Sequence, residues 1–299
     1  MMQRIVKRAG GVALALAVVV GIARPAAAAG DLLVEADWLA SKLADRRVVA
    51  LHVGNRAGYD KAHIPGARAI TEEDVAKPHD MARGDLMLEL PDAAALRGRF
   101  ESLGISDDSV IVVYAGDGTP LQSATRIVLT LDYLGLGSQT SLLNGGLAAW
   151  QRAGLQTATA APKVTPGHLR ERPVSPVVVD AAFVQSLSGR PRHVLVDARA
   201  PVFYSGTEPT FGKRGHIPKA INIPFSSISD GRGRISLPDL KKTFEAAGIK
   251  AGDTIVAYCH VGQQATAVVL AARLLDFPVV LYDGAFQDWA TANRGAVEP

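Results

Sequence analysis

The sequence predicts an α/β protein of two similar domains, each a parallel sheet flanked by helices, behind an N-terminal signal peptide. Three observations carry this. The chain repeats itself, so that one half answers the other motif by motif. Within each half, short apolar strands alternate with helical stretches such as Leu96 to Leu103 and Leu237 to Ala247. Residues 1–29 stand apart from the rest in composition.

The leader comes first. Arg4, Lys7 and Arg8 precede an apolar run from Ala9 to Ala23, followed by Arg24-Pro25 and the small residues Ala26 to Ala29 at A-x-A spacing. This is the three-part pattern of a secretory signal, and its apolar core is short for a membrane span. Cleavage near Ala28 or Ala29 would leave a chain starting close to Asp31; an uncleaved anchor is the alternative. The expected location is periplasmic or secreted, with no stable membrane insertion once the leader is removed. About 270 residues then remain, enough for two domains. Residues 30–156 form the first and residues 177–299 the second. Residues 157–176, rich in Ala, Thr and Pro and without periodicity, read as the linker.

Composition narrows the function. The net charge of +3 includes the leader's four basic residues Arg4, Lys7, Arg8 and Arg24, so the mature chain is close to neutral. No Lys/Arg-rich run with interleaved aromatics points to nucleic acid. The seven His and one Cys show no metal-ligand spacing, so no metal or other cofactor is expected. A single cysteine excludes intrachain disulfides, and an unpaired thiol in an oxidising compartment reads as reactive.

The repeat sets the order of elements. Val48-Val49-Ala50-Leu51-His52-Val53-Gly54, Tyr59 and Ala62-His63-Ile64-Pro65-Gly66-Ala67 are answered by His193-Val194-Leu195-Val196-Asp197-Ala198-Arg199, Tyr204 and Gly215-His216-Ile217-Pro218-Lys219-Ala220. Gly104 to Tyr114 is answered by Gly248 to Tyr258, and each half closes on a turn and a tryptophan: Asn144-Gly145-Gly146 to Trp150, and Asp283-Gly284 to Trp289. Features in both copies read as structural. His63 and His216 are therefore scaffold histidines holding a turn, and Tyr114 and Tyr258 pack.

The differences between copies point to chemistry. Thr254 to Tyr258 reads as a buried strand and Ala265 to Leu275 as a helix. Between them lie Cys259, His260, Val261, Gly262, Gln263 and Gln264. A strand-to-helix turn this short aims backbone N–H groups beside a helix N-terminus, a setting that lowers a thiol's pKa. Cys259 is thus the candidate nucleophile; an inert buried cysteine is the alternative. The first copy has Ala115 opposite Cys259, and its loop reads as three residues longer before the matching Ala-Thr at Ala124-Thr125. It has His52 and Gly54 opposite Asp197 and Arg199. It reads as a non-catalytic half that forms one wall of a cleft.

The doubled layout, the G-H-I-P-x-A segment, the D-x-R strand end and the strand-Cys-loop-helix unit resemble the tandem-domain rhodanese-like sulfurtransferases. The resemblance covers nearly all of residues 31 to 299. It implies two rhodanese-like domains with the nucleophile in the second. It implies transfer of a sulfane sulfur from thiosulfate or a related small anionic donor to cyanide or a thiol, through a persulfide on Cys259. Substrate would meet His260, Val261, Gly262, Gln263, Gln264 and Arg199, although a D-x-R arginine more often makes a structural ion pair. Members favouring thiosulfate tend to carry basic residues one and two positions after the Cys, where His260 and Val261 stand. The family's substrate-binding arginine, four residues after the D-x-R arginine, is Phe203. His260 is expected either to help keep the thiolate or to face solvent. Gln263 and Gln264 are expected to line the cradle. A persulfide carrier or protein-binding module is the alternative function. A phosphatase would need an arginine where Ala265 stands.

Overall fold

The computed structural model of the chain describes residues 32–299. The leader and its cleavage site lie outside the described residues.

The first half runs β1 (Leu33–Val34), α1 (Ala36–Lys42), β2 (Val48–Val53), α2 (Arg56–Lys61), β3 (Arg68–Ile70), α3 (Ala93–Ser102), β4 (Val110–Ala115), α4 (Leu121–Tyr133), β5 (Thr140–Leu143) and α5 (Gly146–Arg152). The second half repeats this as β6 (Val178–Val179), α6 (Ala181–Gln185), β7 (His193–Asp197), α7 (Pro201–Tyr204), β8 (Pro209–Thr210), β9 (Lys213–Arg214), β10 (Ile221–Asn222), α8 (Leu237–Ala246), β11 (Thr254–Tyr258), α9 (Ala265–Leu274), β12 (Val279–Tyr282) and α10 (Ala285–Thr291). Strands β8 and β9 form a small antiparallel hairpin in an insertion that the first half lacks.

The first sheet has the order β1-β5-β4-β2-β3 and the second the matching order β6-β12-β11-β7-β10. All pairings in both sheets are parallel. Strands buried on both faces explain the unbroken apolar runs Ile111 to Tyr114 and Ile255 to Tyr258. Residues 157–176 hold no helix or strand. They run along the first domain, bridging Ala158 to His63 and bonding Gly167 N–H to the Glu101 carbonyl.

The repeat extends to single hydrogen bonds. His63 and His216 stack on Tyr59 and Tyr204, each at 3.9 Å, and bond the carbonyls of those tyrosines. The hydroxyls of Tyr114 and Tyr258 accept from Ile64 N–H and Ile217 N–H, each at 3.0 Å. The structural reading of these four residues therefore holds.

The two halves meet through α4 and α9, whose inward residues belong to one core drawn from both domains, including Ile127, Val128 and Leu131 with Ala267, Val268 and Ala271. Thr125 and Thr266, equivalent in the repeat, bond to each other at 2.6 Å. A residue that bonds its own counterpart lies at the pseudo-twofold between the halves. Each domain sends a long connection over the other. Residues 71–90 reach the second domain, where Leu90 N–H bonds Asp283 Oδ2 at 3.0 Å. Residues 223–236 reach the first, where Ile235 N–H bonds Asn144 Oδ1 at 2.8 Å.

Replacing Tyr114 by Phe removes the acceptor of a buried N–H and is expected to destabilise the protein by about 1–3 kcal/mol. A lowered urea midpoint checks this. An unchanged midpoint would show that Ile64 N–H finds another partner.

Candidate active site

Strand β11 lies in the middle of the second sheet, between β7 and β12. Its C-terminal end places Cys259 at the carboxyl edge, where ligands bind in open parallel sheets. The turn to α9 is short because Gly262 adopts φ +81°, and a Cβ there would stand 2.8 Å from the Asp283 carbonyl. The backbone N–H groups of Val261, Gly262 and Ala265 lie around the Cys259 sulfur and act to lower its pKa. Two hydrogen bonds pin the loop to α10: Phe286 N–H to the Cys259 carbonyl at 2.9 Å and Gln287 N–H to the His260 carbonyl at 3.0 Å.

The expected depressed thiol pKa is corrected. Burial pushes the fully enclosed Cys259 thiol up, the three N–H groups pull it down, and the nearby Asp197 carboxylate adds to the upward push. Enclosure outweighs the donors because no bond to a cation offsets the desolvation of the sulfur.

The other candidates divide. His260 is half-buried and meets the Phe203 ring edge-on at 4.7 Å. Burial, assisted by the Arg199 charge, lowers its pKa to about 4. It is therefore neutral at pH 7 and neither free in solvent nor a cation for the thiolate. Val261 adds an N–H and no charge. Gln263 turns from the sulfur to the first domain, where its Nε2 donates to both oxygens of Glu72 at 2.7 Å. Gln264 Oε1 is buried without a protein partner. Arg199 is fully buried: Nε and Nη2 bind the Asp197 carboxylate at 3.0 and 2.6 Å, and Nη2 donates to the Gly215 carbonyl at 2.7 Å. Its guanidinium lies 3.9 Å over the Phe286 ring. The ion-pair reading of this arginine holds, and only Nη1 has no protein partner.

The first domain's counterpart has no thiol. His52 takes the place of Asp197, buried and held by burial and His63 at a pKa of about 4. Ala115 replaces the cysteine. The three additional residues do not lengthen this loop, as the sequence implied. Helix α4 starts at Leu121, three residues ahead of Ala124, so the excess becomes helix and only residues 116–120 link β4 to it. A cleft of about 530 Å³ lies here, between that link and residues 225–233. Among the described residues, no cluster of three or more His, Cys, Asp or Glu side chains could hold a metal.

Sequence reasoning missed Glu72, Arg126 and Asp283, which reach the Cys259 loop from distant segments. Arg126 of α4 is 1% exposed; its Nη1 donates to the Gly262 carbonyl at 3.1 Å and to Asp283 Oδ1 at 2.7 Å, and its Nη2 donates to the Leu88 carbonyl. The one available signal is that Asp283 and Asn144 open equivalent turns in the repeat.

Comparison with known proteins agrees with this geometry. The Rhodanese-like domain family matches residues 35–153 and 180–292. A probable 3-mercaptopyruvate sulfurtransferase of Pseudomonas aeruginosa is 36% identical over 245 residues, covering 80% of this chain and 85% of that protein. A putative thiosulfate sulfurtransferase of Synechococcus elongatus is 27% identical over 93% of this chain and 89% of its own. The crystal structure of a 3-mercaptopyruvate sulfotransferase from Escherichia coli superposes with a TM-score of 0.72 at 28% identity, covering 85% of this chain and 98% of that one. With two matched domains in the order the repeat sets, the chain belongs to the rhodanese-like sulfurtransferase family.

Proposed function

We propose that the chain is a sulfurtransferase that moves a sulfane sulfur from a small anionic donor to cyanide or a thiol through a persulfide on Cys259. The observation that carries this is the placement of the one unpaired, buried cysteine at the carboxyl end of a central strand, in a loop whose backbone N–H groups act to lower its pKa. Fixed donors stabilise a sulfur anion without reorganising, both on the attacking thiolate and on the anion that departs in the second step.

The chemistry takes two half-reactions. With thiosulfate, the Cys259 thiolate bonds to the outer sulfur, the old sulfur–sulfur bond breaks, and sulfite leaves with the electron pair. With 3-mercaptopyruvate the carbon–sulfur bond breaks instead, and the departing enolate takes up a proton to give pyruvate. An acceptor such as cyanide then attacks the terminal sulfur, forms thiocyanate, and returns Cys259 as thiolate.

The electrostatics favour the singly charged donor. His260 is neutral, Val261 and Phe203 stand where family members carry basic residues, Asp197 engages Arg199, and the Glu72 carboxylate faces the loop through Gln263. A dianion has little positive charge to meet there. The Pseudomonas relative's name points the same way.

Cys259→Ser is expected to abolish transfer while leaving the fold intact, because only the thiolate is nucleophilic enough. Intact mass after donor treatment reads one added sulfur on the wild type and none on the variant; an active variant overturns the mechanism. Val261→Lys is expected to lower the KM for thiosulfate several-fold while changing kcat less, an effect that fades with salt. Initial rates at two ionic strengths test this, and tight thiosulfate binding by the wild type would show that another cation serves. We also infer export from the leader pattern of Arg4 to Ala29. N-terminal sequencing of the protein from outside the cytoplasm should start near Gly30; a full-length cytoplasmic chain contradicts it.

A further inference from the structure

The two halves offer an internal comparison of how each domain is held by the other. On the side without a nucleophile, the buried part of this is done by the neutral amide of Asn144, whose Nδ2 also donates to Glu35 Oε1 at 2.7 Å, and the one ion pair there, Arg234 with Glu35 at 3.1 Å, is exposed. Asn144 Oδ1 accepts from Ile235 N–H at 2.8 Å and its Nδ2 donates to the Ile235 carbonyl at 3.2 Å. On the cysteine side the equivalent turn carries Asp283, which accepts Leu90 N–H and pairs with the buried Arg126. Arg126 follows Thr125 as Ala267 follows Thr266, so the opposite helix has no such cation at the matching place. Fastening a connection across the domain boundary therefore does not require a buried ion pair, which is costly to desolvate.

What Arg126 adds is a contact with the nucleophile's own loop. Its Nη1 donates to the carbonyl of Gly262 at 3.1 Å. Gly262 is the left-handed residue of the loop, and its N–H is one of the three around the sulfur. Fixing the Gly262 carbonyl fixes ψ of that residue and the path into α9, whose first N–H, that of Ala265, also lies beside the sulfur. A forked guanidinium holds Gly262, Asp283 and Leu88 together, which a single ammonium point charge does less well.

We propose that Arg126, supplied by the domain that has no nucleophile, is a positioning residue that holds the Gly262 turn so that the loop's N–H groups converge on Cys259. The proposal deepens the persulfide reading and rests on it for its catalytic meaning. Arg126 acts through the peptide it orients: the groups that act on the sulfur itself are the three N–H groups and Asp197.

The test replaces both charges at once, in Arg126→Met with Asp283→Asn, so that neither is left buried and unpaired. Asparagine keeps an acceptor for Leu90 N–H, as Asn144 does on the other side. The readout is the pH profile of Cys259 alkylation by iodoacetamide, which needs no turnover. The charged and titratable groups around the loop are Asp197 and Arg199 at the end of β7, Tyr258 and His260 beside the cysteine, Asp283 after β12, Asp288 on α10, and Glu72 from the first domain. The double variant removes a cation and an anion together, so the net charge near the sulfur is unchanged. The expected result is a folded protein whose profile moves up by about one pH unit, the worth of roughly one hydrogen bond to the thiolate. The turnover number should fall about tenfold with the donor's KM little altered, as for an interaction realised in the transition state. A folded double variant with the wild-type profile and turnover would overturn the proposal and leave Arg126 a brace between domains. Should the double variant not fold, Arg126→Lys, which keeps the charge and loses the fork, must shift the profile in the same direction; an unshifted profile overturns the proposal. Failure of the persulfide reading shows separately, as no added sulfur on the wild type.

Discussion

The contact on which the rest depends is the packing of α4 against α9 across the pseudo-twofold, with Thr125 bonded to Thr266. Both helices start just past the carboxyl ends of central strands, so packing them together brings the two strand-to-helix loops near the same boundary. Each loop then lies under the long connection of the opposite domain. The side chains that meet it, Glu72 and Arg126 at the cysteine loop, come from the other half of the chain. The shared apolar core makes this arrangement a property of the fold and not of a loose association between domains.

Much of the architecture is legible in the sequence because duplication prints it twice. The strand Thr254–Tyr258 and the helix after it are marked by β-branched and apolar runs, and the observed bounds differ from the reading by a residue at most. His63 and His216 are identified as scaffold by their presence in both copies, and both stack and bond as such. The additional residues of the first copy were read as loop because sequence alignment shows where length is gained but not which element absorbs it. Leu121, Gln122 and Ser123 are good enough helix formers to extend α4 by a turn.

The site was only partly legible. The loop, its glycine and its N–H donors follow from local sequence. The ionisation of Cys259 does not, since it depends on how completely the sulfur is enclosed, and enclosure is the joint product of several distant segments. The same holds for His260, whose neutrality follows from burial against Phe203 and from Arg199. Contacts such as Gln263 to Glu72 join residues far apart in the chain and of unremarkable type, with no periodicity or motif to announce them.

The enclosure of Cys259 has a consequence for the protein at rest. A thiol that is fully buried and biased toward its neutral form is slow to react with peroxide or with the disulfides of other proteins, since both reactions require an accessible thiolate. With a single cysteine in the chain there is also no neighbouring thiol to trap it as an internal disulfide. The enclosure that makes the sulfur harder to ionise thus also slows its oxidation while the protein is at rest.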